Sequence, residues 1–151
     1  MKTVVIRKGF KFRLEPNEAQ RKMLTRFVGH ARFVWNKALD LNLWRLKNGY
    51  PIMRYAELCH WLTIWKQSDE YGFLKESPSQ VLQQKLKDLD GAFRDAFDKN
   101  QPLKRLPSAR KKGKHDSIRF PEPKQIKLEQ KNNRIFLPKL GWMHYRNSRE
   151  V

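Results

Sequence analysis

The segment from Ser77 to Phe97, SPSQVLQQKLKDLDGAFRDAF, has the most regular pattern of the chain and predicts its central helix. Its large apolar side chains recur three and four positions apart, at Leu82, Leu86, Leu89, Phe93 and Phe97. This spacing is typical of a helix that is buried along one side, so we expect the other elements to pack on it. Ser77 is expected to cap the helix, with Pro78 at the first helical position and Gln80 reaching back to the cap amide.

The opposite face of this helix carries the polar residues Gln80, Gln83, Gln84 and Lys87. A glutamine amide can form two hydrogen bonds with adenine, so this face is able to contact nucleic acid. Polar helix faces are commonly just hydrated, and a solvated face is the alternative interpretation.

Charge is the strongest global property of the chain. Its 151 residues include 33 Lys and Arg against 15 Asp and Glu, a formal net charge of +18. Residues 1–53 carry 12 basic and 3 acidic residues, and residues 98–151 carry 15 and 5, whereas residues 54–97 carry 6 and 7. A polyanion is therefore the expected partner, and the two basic ends are expected to meet in space.

The composition indicates a folded protein without disulfides. Five Trp and nine Phe are enough to build a hydrophobic core. The one cysteine, Cys59, excludes an internal disulfide and fits a reducing compartment. No apolar run approaches the roughly 20 residues of a membrane span, and the basic N-terminus does not fit a signal peptide.

Residues 17–66 predict three helices. The first is capped by Asn17 together with Gln20 and is interrupted at Gly29, and the second runs from about residue 30 to residue 48. The third covers residues 54–66. Two helices joined at a glycine resemble a helix-turn-helix, although the second is too apolar to lie in a DNA groove.

Strand patterns occupy both ends of the chain. Residues 3–14 alternate, which places Lys11 and Arg13 on one face that is either solvated or in contact with phosphates. Short alternating segments recur at residues 117–120, 126–129 and 134–137. Strands at both ends and helices between them predict an α+β fold, in which a small sheet or barrel from the termini carries an inserted helical lobe.

Residues 104–114, KRLPSARKKGK, form the densest basic segment. Its six basic side chains are those of Lys104, Arg105, Arg110, Lys111, Lys112 and Lys114. Pro107 and Gly113 discourage regular structure, so the segment predicts a linker or a phosphate-binding arm. A solvated basic loop is the alternative.

The sequence shows no recognisable catalytic or metal-binding set. Asp88, Asp90 and Asp95 are interleaved with apolar residues on a helix, so we expect them to balance nearby basic side chains. The four histidines fall in no metal-binding spacing, and His115 is expected at most to touch phosphate. We therefore expect no metal and no cofactor. Basic, amide and aromatic side chains together favour nucleic-acid binding, without a choice between DNA and RNA.

Five segments, in order, resemble the N-terminal part of the TnpB (OrfB-type) proteins of bacterial insertion sequences. They are LEPNEAQRKML, ARFVWNKAL, SQVLQQKLKDLDGAF, HDSIRF and IFLPKLGWMHYR. The resemblance implies an RNA-guided DNA endonuclease, related to type V CRISPR effectors, with a wedge-type β-barrel, a helical recognition lobe and a RuvC-like nuclease domain containing a zinc ribbon. The nuclease part is expected beyond Val151, as in a truncated reading frame, an engineered fragment or a stand-alone derivative.

The resemblance also implies domains and site residues. It implies a discontinuous wedge-type β-domain of residues 1–15 and 115–151, a helical recognition lobe of residues 16–100 and a basic linker of residues 101–114. The candidates for DNA base contacts are Tyr55, Gln80, Gln83 and Gln84. The candidates for phosphate contacts are Lys11, Arg13 and the six basic residues of the segment 104–114.

The expected function is to hold guide RNA and duplex DNA without cleaving them, in the bacterial cytoplasm at the nucleoid. Three alternatives remain open. The first is a stand-alone helix-turn-helix regulator. The second is half of a split endonuclease that works with a separate nuclease chain. The third is a defective remnant that binds nucleic acid only through its charge.

Overall fold

A computed structural model describes residues 9, 11–114 and 116–146. These residues form three α-helices, α1 (Glu18–Lys47), α2 (Tyr55–Gln67) and α3 (Ser79–Ala96). Four strands accompany them, β1 (Arg13–Glu15), β2 (Lys127–Glu129), β3 (Arg134–Leu137) and β4 (Gly141–Arg146). Single 3-10 turns cover Gly72–Glu76, Pro123–Gln125 and Gln130–Asn132. None of the described helices is both long enough and apolar enough to cross a membrane.

Helix α1 is one continuous helix of 30 residues. Its predicted capping box is confirmed, because the Asn17 side chain accepts from the Gln20 amide and the Gln20 side chain accepts from the Asn17 amide. The predicted break at Gly29 is wrong. A glycine costs a helix only about 1 kcal/mol relative to alanine, whereas burial of Phe27 and Ala31 on either side of it stabilises the unbroken helix by more than that.

The three helices share one hydrophobic core. The predicted apolar stripe of α3 is confirmed for Leu82, Leu86, Leu89 and Phe93, which are fully buried. Phe97 is 54% exposed, because the helix ends at Ala96 and leaves this ring outside the core. The helix predicted at residues 54–66 is also confirmed, one residue displaced, as α2.

The start of α3 differs from the prediction. The helix begins at Ser79, after Pro78, and no side chain caps it. The Ser77 hydroxyl lies 2.7 Å from Nδ1 of His30 instead. Ser77 is buried and His30 is half-buried, so the hydroxyl forms its hydrogen bond with α1 rather than with its own helix. Burial also lowers the pKa of His30, against the opposing effect of Glu76.

The four strands form an open antiparallel sheet in the order β1-β4-β3-β2. Strand β1 pairs with β4, with Arg13 opposite Arg146, so the sheet is built from both ends of the chain as predicted. Most of the strand predicted at residues 3–14 lies outside the described residues. Strand β4 was not predicted, although its residues alternate between exposed and buried.

The strand predicted at residues 117–120 is wrong. Ile118 and Phe120 pack against both hydrophobic clusters, one between the helices and one under the sheet. The cluster under the sheet contains Phe27 of α1 together with Leu137 and Met143. Helix α1 therefore contributes to both cores, and the domain boundaries inferred above stay predictions.

We expect replacement of Gly29 by Ala to raise the free energy of unfolding by about 0.5–1 kcal/mol. The added Cβ would meet only the guanidinium of Arg32, at 3.7 Å, and alanine loses less backbone entropy in a helix. Urea unfolding measures the change. Gly49→Ala is the control, since Gly49 has a φ of +79° and the substitution is expected to destabilise. Destabilisation by Gly29→Ala would contradict a continuous α1.

Candidate nucleic-acid interface

The basic segment of residues 104–114, called the basic strap from here on, is fixed along α1. The indole N–H of Trp35 donates to the carbonyl of Ser108 at 2.9 Å. The Asn36 side chain accepts from the Arg110 amide at 2.7 Å and donates to the Arg110 carbonyl at 3.0 Å. An asparagine that pairs with both backbone groups of one residue fixes that residue's position. The strap is therefore an ordered feature of the surface and not a free linker.

The guanidinium of Arg110 adds a further contact between the strap and α1. It lies 4.3 Å from the ring centroid of Trp35, whose side chain is almost completely buried. A cation over an indole face is attracted by the ring quadrupole, and guanidinium groups are well suited to such stacking. Arg110 itself is exposed on its other side, where it can still meet an anion.

Asp116 fixes the C-terminal end of the strap. This carboxylate accepts from the Gly113 amide at 2.8 Å and pairs with the Arg32 guanidinium at 3.2 Å. Gly113 has a φ of +81°, a conformation that L side chains rarely adopt. The lysines around this turn, at positions 111, 112 and 114, are exposed to solvent.

A cleft of about 450 Å³ lies between the strap, α1 and α3. Lys85 of α3 lines it together with Asp88, Arg110 and Ser117. Burial lowers the pKa of the Lys85 ammonium, Asp88 and Asp116 oppose this shift, and Arg110 adds to it. The cleft thus contains a partly desolvated cation that an entering phosphate would stabilise in its charged form.

The predicted phosphate contacts are all on the surface. Lys104, Arg105, Arg110, Lys111, Lys112 and Lys114 are exposed along the strap, and Lys11 and Arg13 are exposed beside the sheet. Phosphate contact by these residues stays a prediction. His115, expected to touch phosphate, lies outside the described residues.

The predicted base contacts are less uniform. Gln80 and Gln84 are only 8% and 9% exposed, so the expectation that both lie on an open polar face is wrong. Gln80 accepts from the Glu122 amide at 2.9 Å and donates to the Gln125 side chain at 2.6 Å. Gln83 is exposed and Tyr55 is half-buried at the start of α2. Base contact by the four residues stays a prediction.

The acidic residues of α3 have structural partners. Asp90 pairs with Arg54 at 2.7 Å and accepts from the Tyr55 amide, so it holds the beginning of α2. Asp88 accepts from Gln84 at 2.8 Å. Within the described residues, no three His, Cys, Asp or Glu side chains are placed to share a metal ion.

The sequence analysis did not single out the residues that hold the strap, namely Arg32, Trp35, Asn36, Lys85 and Asp116. The only signal for them was Trp35 next to Asn36 in the ARFVWNKAL segment, where a polar residue interrupts an apolar helix. Their roles depend on a contact between residues more than 70 positions apart.

We expect Gln80→Ala to lower the free energy of unfolding by about 1–3 kcal/mol, because it removes the two hydrogen bonds that this nearly buried amide forms with Glu122 and Gln125. Gln83→Ala is the matched control one helical turn away, and we expect it to stay within about 0.5 kcal/mol of the parent. Urea unfolding compares the two variants. Equal effects would contradict the structural role assigned to Gln80.

Comparison with known proteins points to nucleic acid. Residues 1–50 match the family model of the helix-turn-helix domain of OrfB proteins of the IS605 type. Over 143 residues, 95% of this chain, the sequence is 45% identical to "Putative RNA-guided DNA endonuclease InsQ" of Escherichia coli (strain K12). It is also 36% identical, over 109 residues or 70% of this chain, to "Putative RNA-guided DNA endonuclease" of Streptomyces pristinaespiralis. The chain spans 34% and 26% of the lengths of these relatives.

The matched domain has an unexpected form here, because the described part of residues 1–50 contains the single helix α1 rather than two helices and a turn. The similarity nevertheless extends over nearly the whole chain and includes the helices that hold the strap. The predicted resemblance to the N-terminal part of TnpB (OrfB-type) insertion-sequence proteins is therefore confirmed, and residues 1–50 match the helix-turn-helix domain model of that family.

Proposed function

We propose that the chain holds guide RNA and target DNA for a TnpB-type RNA-guided endonuclease and does not cleave nucleic acid itself. The observation that carries the proposal is the basic strap, which is fixed on α1 while most of its cations point to solvent. The names of the two relatives, both of which begin "Putative RNA-guided DNA endonuclease", support the same function.

The fixed position of the strap favours tight phosphate binding. A free basic loop loses conformational entropy when it binds, whereas this segment is already ordered by Trp35, Asn36 and Asp116. Each cation that neutralises a phosphate also releases condensed counterions, which makes binding strongly dependent on salt. The strap is thus suited to a nucleic-acid backbone of any sequence.

The cleft beside the strap offers a second kind of contact. Lys85 and Arg110 line it, and the ammonium of Lys85 is partly desolvated. A phosphate that entered would meet Arg110 and the partly desolvated Lys85 ammonium, for which electrostatic attraction is stronger than for a fully hydrated cation. We propose that the strap and the cleft together bind the phosphate backbone of one nucleic-acid strand.

A stand-alone repressor is a weaker proposal for this chain. Such proteins insert an exposed recognition helix into the major groove. Helix α1 is instead buried against the sheet at Phe27 and against the other helices from Ala31 to Leu39. A repressor would bind a duplex tightly and sequence-specifically in the absence of RNA, which a mobility-shift assay detects.

The proposal assigns catalysis to a nuclease domain of the kind that TnpB proteins carry, and it places the protein with DNA in the bacterial cytoplasm. The acids described above already serve structural roles, as the Asp90–Arg54 and Asp116–Arg32 pairs illustrate. Labelled target DNA incubated with this chain, Mg²⁺ and guide RNA is therefore expected to stay intact. Cleavage that EDTA abolishes would contradict the non-catalytic part of the proposal.

We expect the triple variant Lys111→Gln, Lys112→Gln and Lys114→Gln to weaken binding to all sequences. The slope of log affinity against log salt should fall by about three for a duplex, since each phosphate contact contributes about 0.9. Fluorescence anisotropy at several salt concentrations measures the slope.

The matched control carries Lys47→Gln, Lys87→Gln and Lys99→Gln, which remove the same charge from other exposed positions. This control should leave the slope nearly unchanged. If both triple variants changed the slope equally, the strap would contribute only to the overall charge and not to phosphate contacts.

A further inference from the structure

The sheet has one face covered by α1 and one face open to solvent. Along β4, Met143 and Tyr145 are buried, whereas Trp142, His144 and Arg146 are exposed. Met143 belongs to the cluster that contains Phe27 of α1. The residues that alternate with it therefore lie on the opposite face, called the outer sheet face from here on.

Two aromatic rings form the centre of the outer sheet face. Phe136 of β3 and Trp142 of β4 are direct cross-strand partners, and their ring centroids are 5.7 Å apart at an angle of 65°. Trp142 is 38% exposed, so part of its indole ring is open to a ligand. Its backbone is held in place, because the Gln20 side chain donates to the carbonyls of Trp142 and Leu140.

Cations surround these rings. Lys127 Nζ lies 5.3 Å from the Phe136 ring centroid, and the Arg134 guanidinium lies 5.0 Å from that of Trp142. The strand register adds further basic side chains to the same face, those of Arg13, His144 and Arg146. The same register places two carboxylates on this face: Glu129 accepts from the Arg134 guanidinium at 2.9 and 3.0 Å, and Glu15 lies 3.9 Å from the Arg146 guanidinium. Among the described residues, no carboxylate lies within ion-pair distance of Lys127 or Arg13, so these two cations are available to a phosphate.

We propose that the outer sheet face binds a single-stranded nucleic-acid segment, with unpaired bases stacking on Trp142 and Phe136. The proposal rests on the proposed function, in that the chain binds nucleic acid, and it adds a second site with a different chemistry. Stacking needs a free base face, which a duplex does not offer, and aromatic rings beside cations are the recurring solution for single strands. Lys127 neutralises a phosphate there, and the planar guanidinium of Arg134, which Glu129 holds in place, extends the stack.

A nucleic acid fits this face better than a protein partner does. Protein interfaces are depleted of lysine and charged residues at their centre, whereas cations lie directly beside both rings here. The net charge of +18 would also oppose association with a second copy of the chain. A polyanion with apolar bases complements both the charge and the rings.

The test compares Trp142→Leu with the parent chain. The probes are fluorescein-labelled 15-mers of thymidine and of uridine and a 15-base-pair duplex, each followed by anisotropy. We expect Trp142→Leu to weaken binding of the single strands about tenfold, since one stacking contact is lost. Duplex affinity should be unchanged, and the salt slope should be unchanged because no phosphate contact is removed.

Two variants serve as controls. Trp142→Phe keeps an aromatic ring and should retain most of the single-strand affinity. Trp44→Leu removes an even more exposed indole, 57% accessible and stacked on Tyr50 at the far end of α1, and should change nothing. Unchanged single-strand affinity in Trp142→Leu, or equal losses for duplex and single strands, would overturn the proposal.

A measurement on the unmodified chain does not depend on whether the Trp142 variants fold. Photocrosslinking to a uridine 15-mer that contains 4-thiouridine should label the peptide with Trp142 or Phe136. Labelling confined to the basic strap would overturn the proposal. If Trp142→Leu weakened single-strand binding while the strap variant left the salt slope intact, the outer-face site would stand and the proposed role of the strap would fail.

Discussion

The burial of α1 on two sides is the interaction on which the rest of the structure depends. Its N-terminal half packs under the sheet through Phe27, and its C-terminal half packs against α3 in the core shared with α2, through residues such as Val34 and Leu39. Each of these side chains stabilises the fold by about 1.5–3 kcal/mol. A break in α1 would separate the sheet from the helical core, so the helix continues through Gly29 although glycine is a poor helix former.

The same helix explains why the two basic ends of the chain share a surface. Neither the sheet residues nor the strap could hold a fixed position alone, since β1 has only three residues and the strap has no regular structure. Helix α1 supplies the missing contacts, through Gln20 to the β4 backbone and through Trp35 and Asn36 to the strap. The affinity for phosphates that we propose therefore depends on α1 as the scaffold that holds both charged segments.

Local patterns predicted part of this fold, and distant contacts decided the rest. The Asn17 capping box, helix α2 and the buried stripe of α3 follow from spacing alone, and the structure contains all three. Ser77 and Gln80 have the sequence of a capping box, yet both side chains form hydrogen bonds with other elements. Only the tertiary structure reveals those partners, because they lie more than 40 residues away along the chain. The candidate site was predictable to the same extent. The sequence predicted the exposed basic residues of the strap, but not the contacts that fix the strap on α1.

The nucleic acid that stays bound when the chain is purified from bacterial cells at low salt tests the central claim most directly. Sequencing of that material identifies it without any assumption about the partner. Our account predicts a discrete RNA species, enriched over total cellular RNA and released when the salt concentration is raised. Bound fragments with the composition of bulk cellular RNA, or a chain free of nucleic acid, would contradict it.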